Sequence, residues 1–201
     1  MRFFEDRPHR PDDDEPPPVM PEWFGPPPDV LGGVVPQGVV LARTEHAFAG
    51  LTGVTAYPTG LLLSLVLAAR RKELPRERWD AVETSFWAER GHRPGRPSTG
   101  DGVLRLGVEL ADGRRVETQD RFPPGFDVPR EAPVLVEHQS EGSGGSHRQD
   151  KRIDLWLWPL PAGDTLSLAL QWPDLDLPLT FSRVELEPVR AALARVVPYW
   201  P

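Results

Sequence analysis

The groups of this 201-residue chain that could do chemistry are histidines, carboxylates and hydroxyls, because it contains no cysteine. That absence removes disulfides, thiolate metal sites and thiol nucleophiles together. Of the five histidines, His9 lies in an acidic N-terminal stretch and His92 in a Gly/Pro/Arg-rich one, which leaves His46, His138 and His147. A metal enzyme on a β scaffold offers two histidines at i and i+2, since alternate residues share a strand face. No such pair is present. His46 follows Glu45 and His138 follows Glu137, and adjacent residues point to opposite faces. A site of His46, His138 and a carboxylate such as Glu137 or Asp154 is the one remaining geometric option. Ordinary surface or core histidines are the better reading, so neither a metal nor a cofactor is expected.

Other catalytic patterns fail on spacing. Gly142-Ser143-Gly144-Gly145 leads into His147-Arg148-Gln149 and a strand, whereas a phosphate loop needs Gly-Lys-Ser/Thr opening a helix. It also lacks the Gly-x-Ser-x-Gly of a nucleophile elbow. The segment from Glu141 to Ser146 reads as a flexible connection, with Arg148 and Arg152 available to an anionic ligand. Glu109, Glu117, Glu137 and Asp154 fall on expected strands. Carboxylate pairs of that kind serve glycoside hydrolysis, but nearly any acidic β protein supplies them.

The aromatic residues carry more information. In Arg152-Ile153-Asp154-Leu155-Trp156-Leu157-Trp158 the alternation puts Asp154, Trp156 and Trp158 on one strand face and Ile153, Leu155 and Leu157 on the other. An aliphatic core face leaves a tryptophan shelf, of the kind that binds sugars, peptides or proteins. Cover by one of two helices, residues 71–90 or the short C-terminal one, is the plainer expectation, since amphipathic helices need a sheet to pack on. Near the N-terminus, Trp23-Phe24 sit in Pro21-Glu22-Trp23-Phe24-Gly25-Pro26-Pro27-Pro28. They suit a docking motif in extended polyproline form, or an arm laid onto its own domain, the commoner use of a tail tryptophan.

The elements that must position these residues are strands. Val39 to Thr44, Phe48 to Tyr57 and Thr59 to Arg70 form three, with Leu61-Leu62-Leu63 giving the third apolar groups on both faces and a central place in its sheet. Leu104, Leu106, Val108 and Leu110 alternate with polar residues, and Asp112-Gly113 turns the chain into Arg115-Val116-Glu117-Thr118, a hairpin with a type I′-like turn. Further strands cover Val134 to Gln139, the tryptophan strand, Thr165 to Trp172, and Leu177 to Val184. Between them Leu74, Trp79, Val82 and Phe86 recur at helical spacing, and Glu187 to Val196 closes the chain as a short helix. The fold class is mainly β: an antiparallel sandwich, immunoglobulin-like or jelly-roll, with one inserted helix and a short C-terminal helix.

Residues 1–22 set Arg2, Arg7 and Arg10 against Glu5, Asp6, Asp12, Asp13, Asp14, Glu15 and Glu22, a composition that cannot offset its ordering entropy. They read as a disordered acidic Pro-rich tail, residues 23–37 as an extended arm, and residues 38–201 as one domain. The net charge of −7 argues against nucleic acid. The longest apolar run, Leu61 to Ala69 interrupted by Ser64, is well short of the roughly 20 residues of a membrane helix. Nothing at the N-terminus has signal-peptide form, so a soluble cytoplasmic protein is expected.

The Trp-Phe-Gly-Pro-Pro and Leu-Trp-Leu-Trp-Pro-Leu-Pro stretches, with Trp172-Pro173 and a terminal Trp200-Pro201, resemble a family of high-GC bacterial proteins. That family has no assigned activity, so the resemblance implies a bacterial cytosolic origin and assigns no residue a role. The sequence therefore points to a non-catalytic β-sandwich for protein interaction or small-ligand binding, with Trp23, Phe24, Trp156, Trp158, Arg148 and Arg152 as contact residues. The rivals are a jelly-roll hydrolase or metal enzyme and an accessory subunit of a larger bacterial assembly.

Overall fold

A computed structural model describes residues 20–87, 102–119 and 130–201. Strands dominate it, and they stack as two antiparallel sheets, the β-sandwich expected. The larger sheet contains β2 (Gly33–Arg43), β3 (Ala47–Tyr57), β4 (Gly60–Arg70), β7 (Val134–Gly145) and β8 (Arg148–Trp158), in the order β2-β3-β4-β8-β7. The smaller contains β5 (Arg105–Leu110), β6 (Arg115–Glu117), β9 (Thr165–Trp172) and β10 (Leu177–Glu185), in the order β10-β9-β5-β6. A separate two-residue ladder joins β1 (Val30–Leu31) to β11 (Val197–Pro198) and ties the two ends of the described chain together.

The strand alternation explains the layering. On β4, Leu61, Leu63, Leu65, Leu67 and Ala69 are all buried, and Ile153, Leu155 and Leu157 continue that face on β8. From the smaller sheet Leu106, Val108, Leu166, Leu168 and Leu170 join the same core. Apolar surface of this kind stabilises by about 25 cal/mol per Å² removed from water. β4 is the central strand of five, as its doubly apolar sequence requires.

Two helices close the sandwich rather than roofing the outer face. Helix α1 (Arg76–Trp87) sends Trp79, Val82 and Phe86 into the main core, where Phe86 stacks on Trp172 at 5.6 Å between centroids. Arg78 fastens it to the turn after β9, donating to the Asp174 carbonyl and the Asp176 carboxylate at 2.9 and 2.8 Å. Helix α2 (Glu187–Ala192) contributes Val189 and Ala192 to that core.

Several sequence expectations change. The sheet begins at Gly33 rather than Gly38, so the last third of the supposed arm is strand of that sheet. Residues 21–24 form a turn closed by Phe24 N–H to the Pro21 carbonyl at 2.9 Å, not extended polyproline. The Glu141 to Gly145 segment is strand rather than a flexible connection, pairing with β8 down to Gly145 opposite Arg148. Glycine and serine disguised it, since both are poor strand formers. The β5–β6 hairpin is real, but only Gly113 has positive φ (83°). Leu110 pairs with Arg114 around a three-residue loop, where a left-handed glycine ends the turn. The tail at residues 1–19, and His9 and His92, lie outside the described residues.

Candidate functional site

The outer face of the larger sheet, turned away from the second sheet, divides into two unlike halves. Register places Trp156 between Leu62 and Val136, then Asp154 between Ser64 and Gln139, then Arg152 between Val66 and Glu141. Beyond them come Asp150 beside Ala68, and Arg148 beside Arg70. The face thus runs from aromatic at the Trp156 end to charged at the Arg148 end. The alternation Arg152-Asp154-Trp156-Trp158 on one side of β8 is the arrangement read from the sequence.

The aromatic half is covered, though not by a helix. Trp23 and Phe24 lie on Val134, Val136 and Trp156, flanked by Tyr57, Leu62 and Trp158. Trp23 is 4 % exposed, Phe24 7 % and Trp156 0 %. Trp156 Nε1 donates to the Glu22 main-chain carbonyl at 2.9 Å, and Trp158 Nε1 to the Glu22 carboxylate at 3.2 Å. Arg130 sits over the Trp23 ring at 4.5 Å, a cation–π contact. The arm laid onto its own domain is therefore what the structure contains. Burial pushes the Tyr57 hydroxyl pKa up, and the charges of Tyr199 and Asp154 add to that.

The polar half is an open trough of about 650 Å³ lined by Thr52, Ser64, Gln139, Ser140, Glu141, Arg152 and Asp154, with Leu65 beneath them. Ser64 Oγ donates to Asp154 Oδ1 at 2.6 Å, and Arg152 faces Glu141 at 3.3 Å. The flanking strands are both irregular at the level of this pair. β3 bulges between Leu51 and Gly53, and β7 between Glu137 and Gln139. An extra residue bends its strand and re-aims side chains. Two bulges facing each other across Ser64–Asp154 cup the sheet there, and they place Thr52 and Gln139 on the trough wall.

The other sequence candidates fall elsewhere. Arg148 is held by Asp150 through two hydrogen bonds of 2.7 and 2.6 Å, and the Arg148 guanidinium beside it lowers the Asp150 pKa. Glu109 and Glu117 lie on the smaller sheet, each 2.5 Å from an arginine, Arg115 and Arg105. Glu137 pairs with Lys151 at 3.3 Å. His46 accepts Arg70 N–H through its carbonyl. Arg70 pairs with Arg148, and Asp154 lies six strand positions further along β8, about 20 Å at the usual rise. His46 and His138 are therefore not brought together. Among the described residues no three His, Cys, Asp or Glu side chains gather as metal donors.

Sequence reasoning passed over Thr52, Ser64, Gln139 and Ser140. One signal was present: Ser64 interrupts an otherwise apolar central strand at an outward position, directly opposite Asp154. The bulges that make the trough leave no comparable trace. No family model matches the chain, no curated protein matches it, and no solved structure matches it.

Proposed function

We propose that this protein is a non-catalytic binding module whose ligand surface is the polar trough on the outer face of the larger sheet. The observation that carries the reading is the pair of facing bulges that cup Ser64–Asp154, because bulges cluster beside functional sites. The volume supports it, lying within the 300–1,000 Å³ usual for small-ligand sites. Apart from Leu65, the lining is a mixed donor and acceptor set of hydroxyls, one amide, two carboxylates and one guanidinium. Such a set suits a polar, hydrogen-bonding ligand: a small polyol or amino acid, or polar side chains of a partner protein. No histidine lines the trough, and Ser64 gives its proton to a carboxylate, a weak base. The arrangement therefore favours binding over nucleophilic attack.

Saturation-transfer NMR against a panel of monosaccharides, polyols, amino acids and dicarboxylates tests the small-ligand form, and capture from native lysate tests the protein form. Each uses the wild type, Asp154→Ala and Arg152→Ala. The expected result is a ligand lost at least about tenfold in either variant, the cost of about one charge-assisted hydrogen bond. Ligands that bind all three proteins equally, or none in either experiment, would remove the trough from consideration.

A further inference from the structure

Donors and acceptors around Asp154 are unevenly used. Ser64 Oγ gives its proton to Asp154 Oδ1 at 2.6 Å, and Thr52 Oγ1 gives its own to the Ser64 main-chain carbonyl at 3.0 Å. A hydroxyl has a single proton, so both groups are left with lone pairs only. Gln139 flanks Asp154 on the other side and can turn its amide oxygen the same way. Among the described residues Asp154 accepts the Ser64 hydrogen bond and no other, which leaves Oδ2 without a donor. This corner of the trough is therefore rich in acceptors and poor in donors.

Its charge is also uncompensated. Arg152, two positions back on the same face of β8, turns to Glu141 on the neighbouring strand at 3.3 Å. That pair stands at the rim, with side chains 79 % and 75 % exposed, whereas Asp154 and Ser64 are half-buried. The lining thus sets two carboxylates against one guanidinium, and the carboxylate left over is Asp154. Such a group is best met by a cation that also donates hydrogen bonds. A calcium ion fits poorly, since it takes about six to eight oxygens, and no three acidic or histidine side chains gather among the described residues. A primary ammonium fits well: it carries the charge, several N–H donors and no acceptor.

Taking the trough as the ligand surface, we propose that its Asp154 corner binds a primary ammonium group, so that the ligand is a small amine rather than a neutral polyol or a dicarboxylate. Asp154 Oδ2 supplies the charge, and the lone pairs of Ser64 and Thr52 receive the remaining N–H donors. Arg152 keeps further N–H groups for an acceptor elsewhere on the same ligand.

The test titrates isotope-labelled full-length protein, followed by NMR at the amides of Thr52, Ser64 and Asp154. Three probes are compared: propylammonium, tetramethylammonium (the charge without N–H donors) and propanol (the shape without the charge). Propylammonium should saturate in the millimolar range, as expected of so small a ligand. The other two should bind at least about tenfold more weakly, the worth of about one charge-assisted hydrogen bond. Asp154→Asn, which keeps the shape and an acceptor but loses the charge, should weaken propylammonium by a similar factor. Tetramethylammonium binding as well as propylammonium overturns the proposal, because the attraction would then be undirected. Calcium ions that take the same amides more tightly make the corner a metal site and overturn it too. A lysine-bearing peptide that binds at least about tenfold more tightly than free amines moves the ammonium to a partner protein and overturns the small-molecule assignment. Polyols that shift the trough amides while propylammonium does not would overturn the ammonium and leave the trough standing. Silence from polyols, amino acids and propylammonium alike would remove both.

Discussion

The two halves of the outer sheet face share the same strands and one continuous register, yet one is sealed and the other open. The Trp156 half holds large apolar groups on adjacent strands, Leu62 and Val136 on either side of Trp156. Left bare it would be an exposed apolar patch, and the chain covers it with Trp23 and Phe24. The Asp154 half needs no cover, because Ser64, Asp154, Arg152 and Glu141 satisfy one another or water. Side-chain chemistry along a single strand face therefore decides which part is structural surface and which remains available to a ligand.

The contrast is broken most severely at Trp156. Replacing it with Ala removes a fully buried indole and its hydrogen bond to Glu22. The expected loss is about 3–5 kcal/mol, read as a shifted denaturant midpoint with intrinsic tryptophan fluorescence. A loss below about 1 kcal/mol would mean that the arm does not seal this half in solution. Trp23→Ala/Phe24→Ala tests the same seal from the other side and should cost less, about 2–3 kcal/mol. The arm's cluster is separate from the main core, so losing the arm need not open that core. Hydrogen exchange should then show lost protection at that cluster alone. An equal loss throughout the sandwich would contradict the separation of the two clusters.

Much of this contrast was legible in the residues. The two-faced pattern of β8, the central place of β4, the hairpin and the sandwich all follow from alternation of apolar and polar side chains, a local signal. That Trp23 and Phe24 fold back onto their own domain was legible, but not that they land on Trp156, because the contact between Glu22 and Trp156 spans 134 positions. Helices were the natural candidates, and they are spent elsewhere: Trp79 and Phe86 of α1 belong to the main core, as do Val189 and Ala192 of α2. The trough was half legible. Asp154 and Arg152 stood out, while Thr52 and Gln139 reach it only through bulges, and bulges depend on the pairing of strands that the sequence does not display.

On the open half a substitution should change binding far more than folding. Ser64→Ala removes one partly buried hydroxyl and leaves Asp154 able to meet water. A stability change of about 1 kcal/mol or less is expected, measured by urea titration, together with loss of any trough ligand. A much larger cost would make Ser64–Asp154 a structural bond and place the trough with the sealed half.

The smallest effect lies at the charged end of the face, where Arg148 grips Asp150 through two hydrogen bonds. That hydrogen bonding, reinforced by the positive charge, holds the Asp150 carboxyl below its ordinary value of 3.8. A carboxylate whose pKa is depressed by folding contributes stability that is present above the ordinary value and is lost as pH falls through the folded one. Arg148→Ala should therefore return Asp150 upward in a carbon-detected NMR titration and lower stability slightly at neutral pH, where that contribution is present, with no effect once pH is below the folded value; the loss is small because the pair is exposed. It should also leave the trough and the arm as they were. If Arg148→Ala instead weakened a trough ligand as much as Asp154→Ala, the binding surface would extend along the whole charged end of β8, and the boundary between the two halves would lie at Trp156 alone.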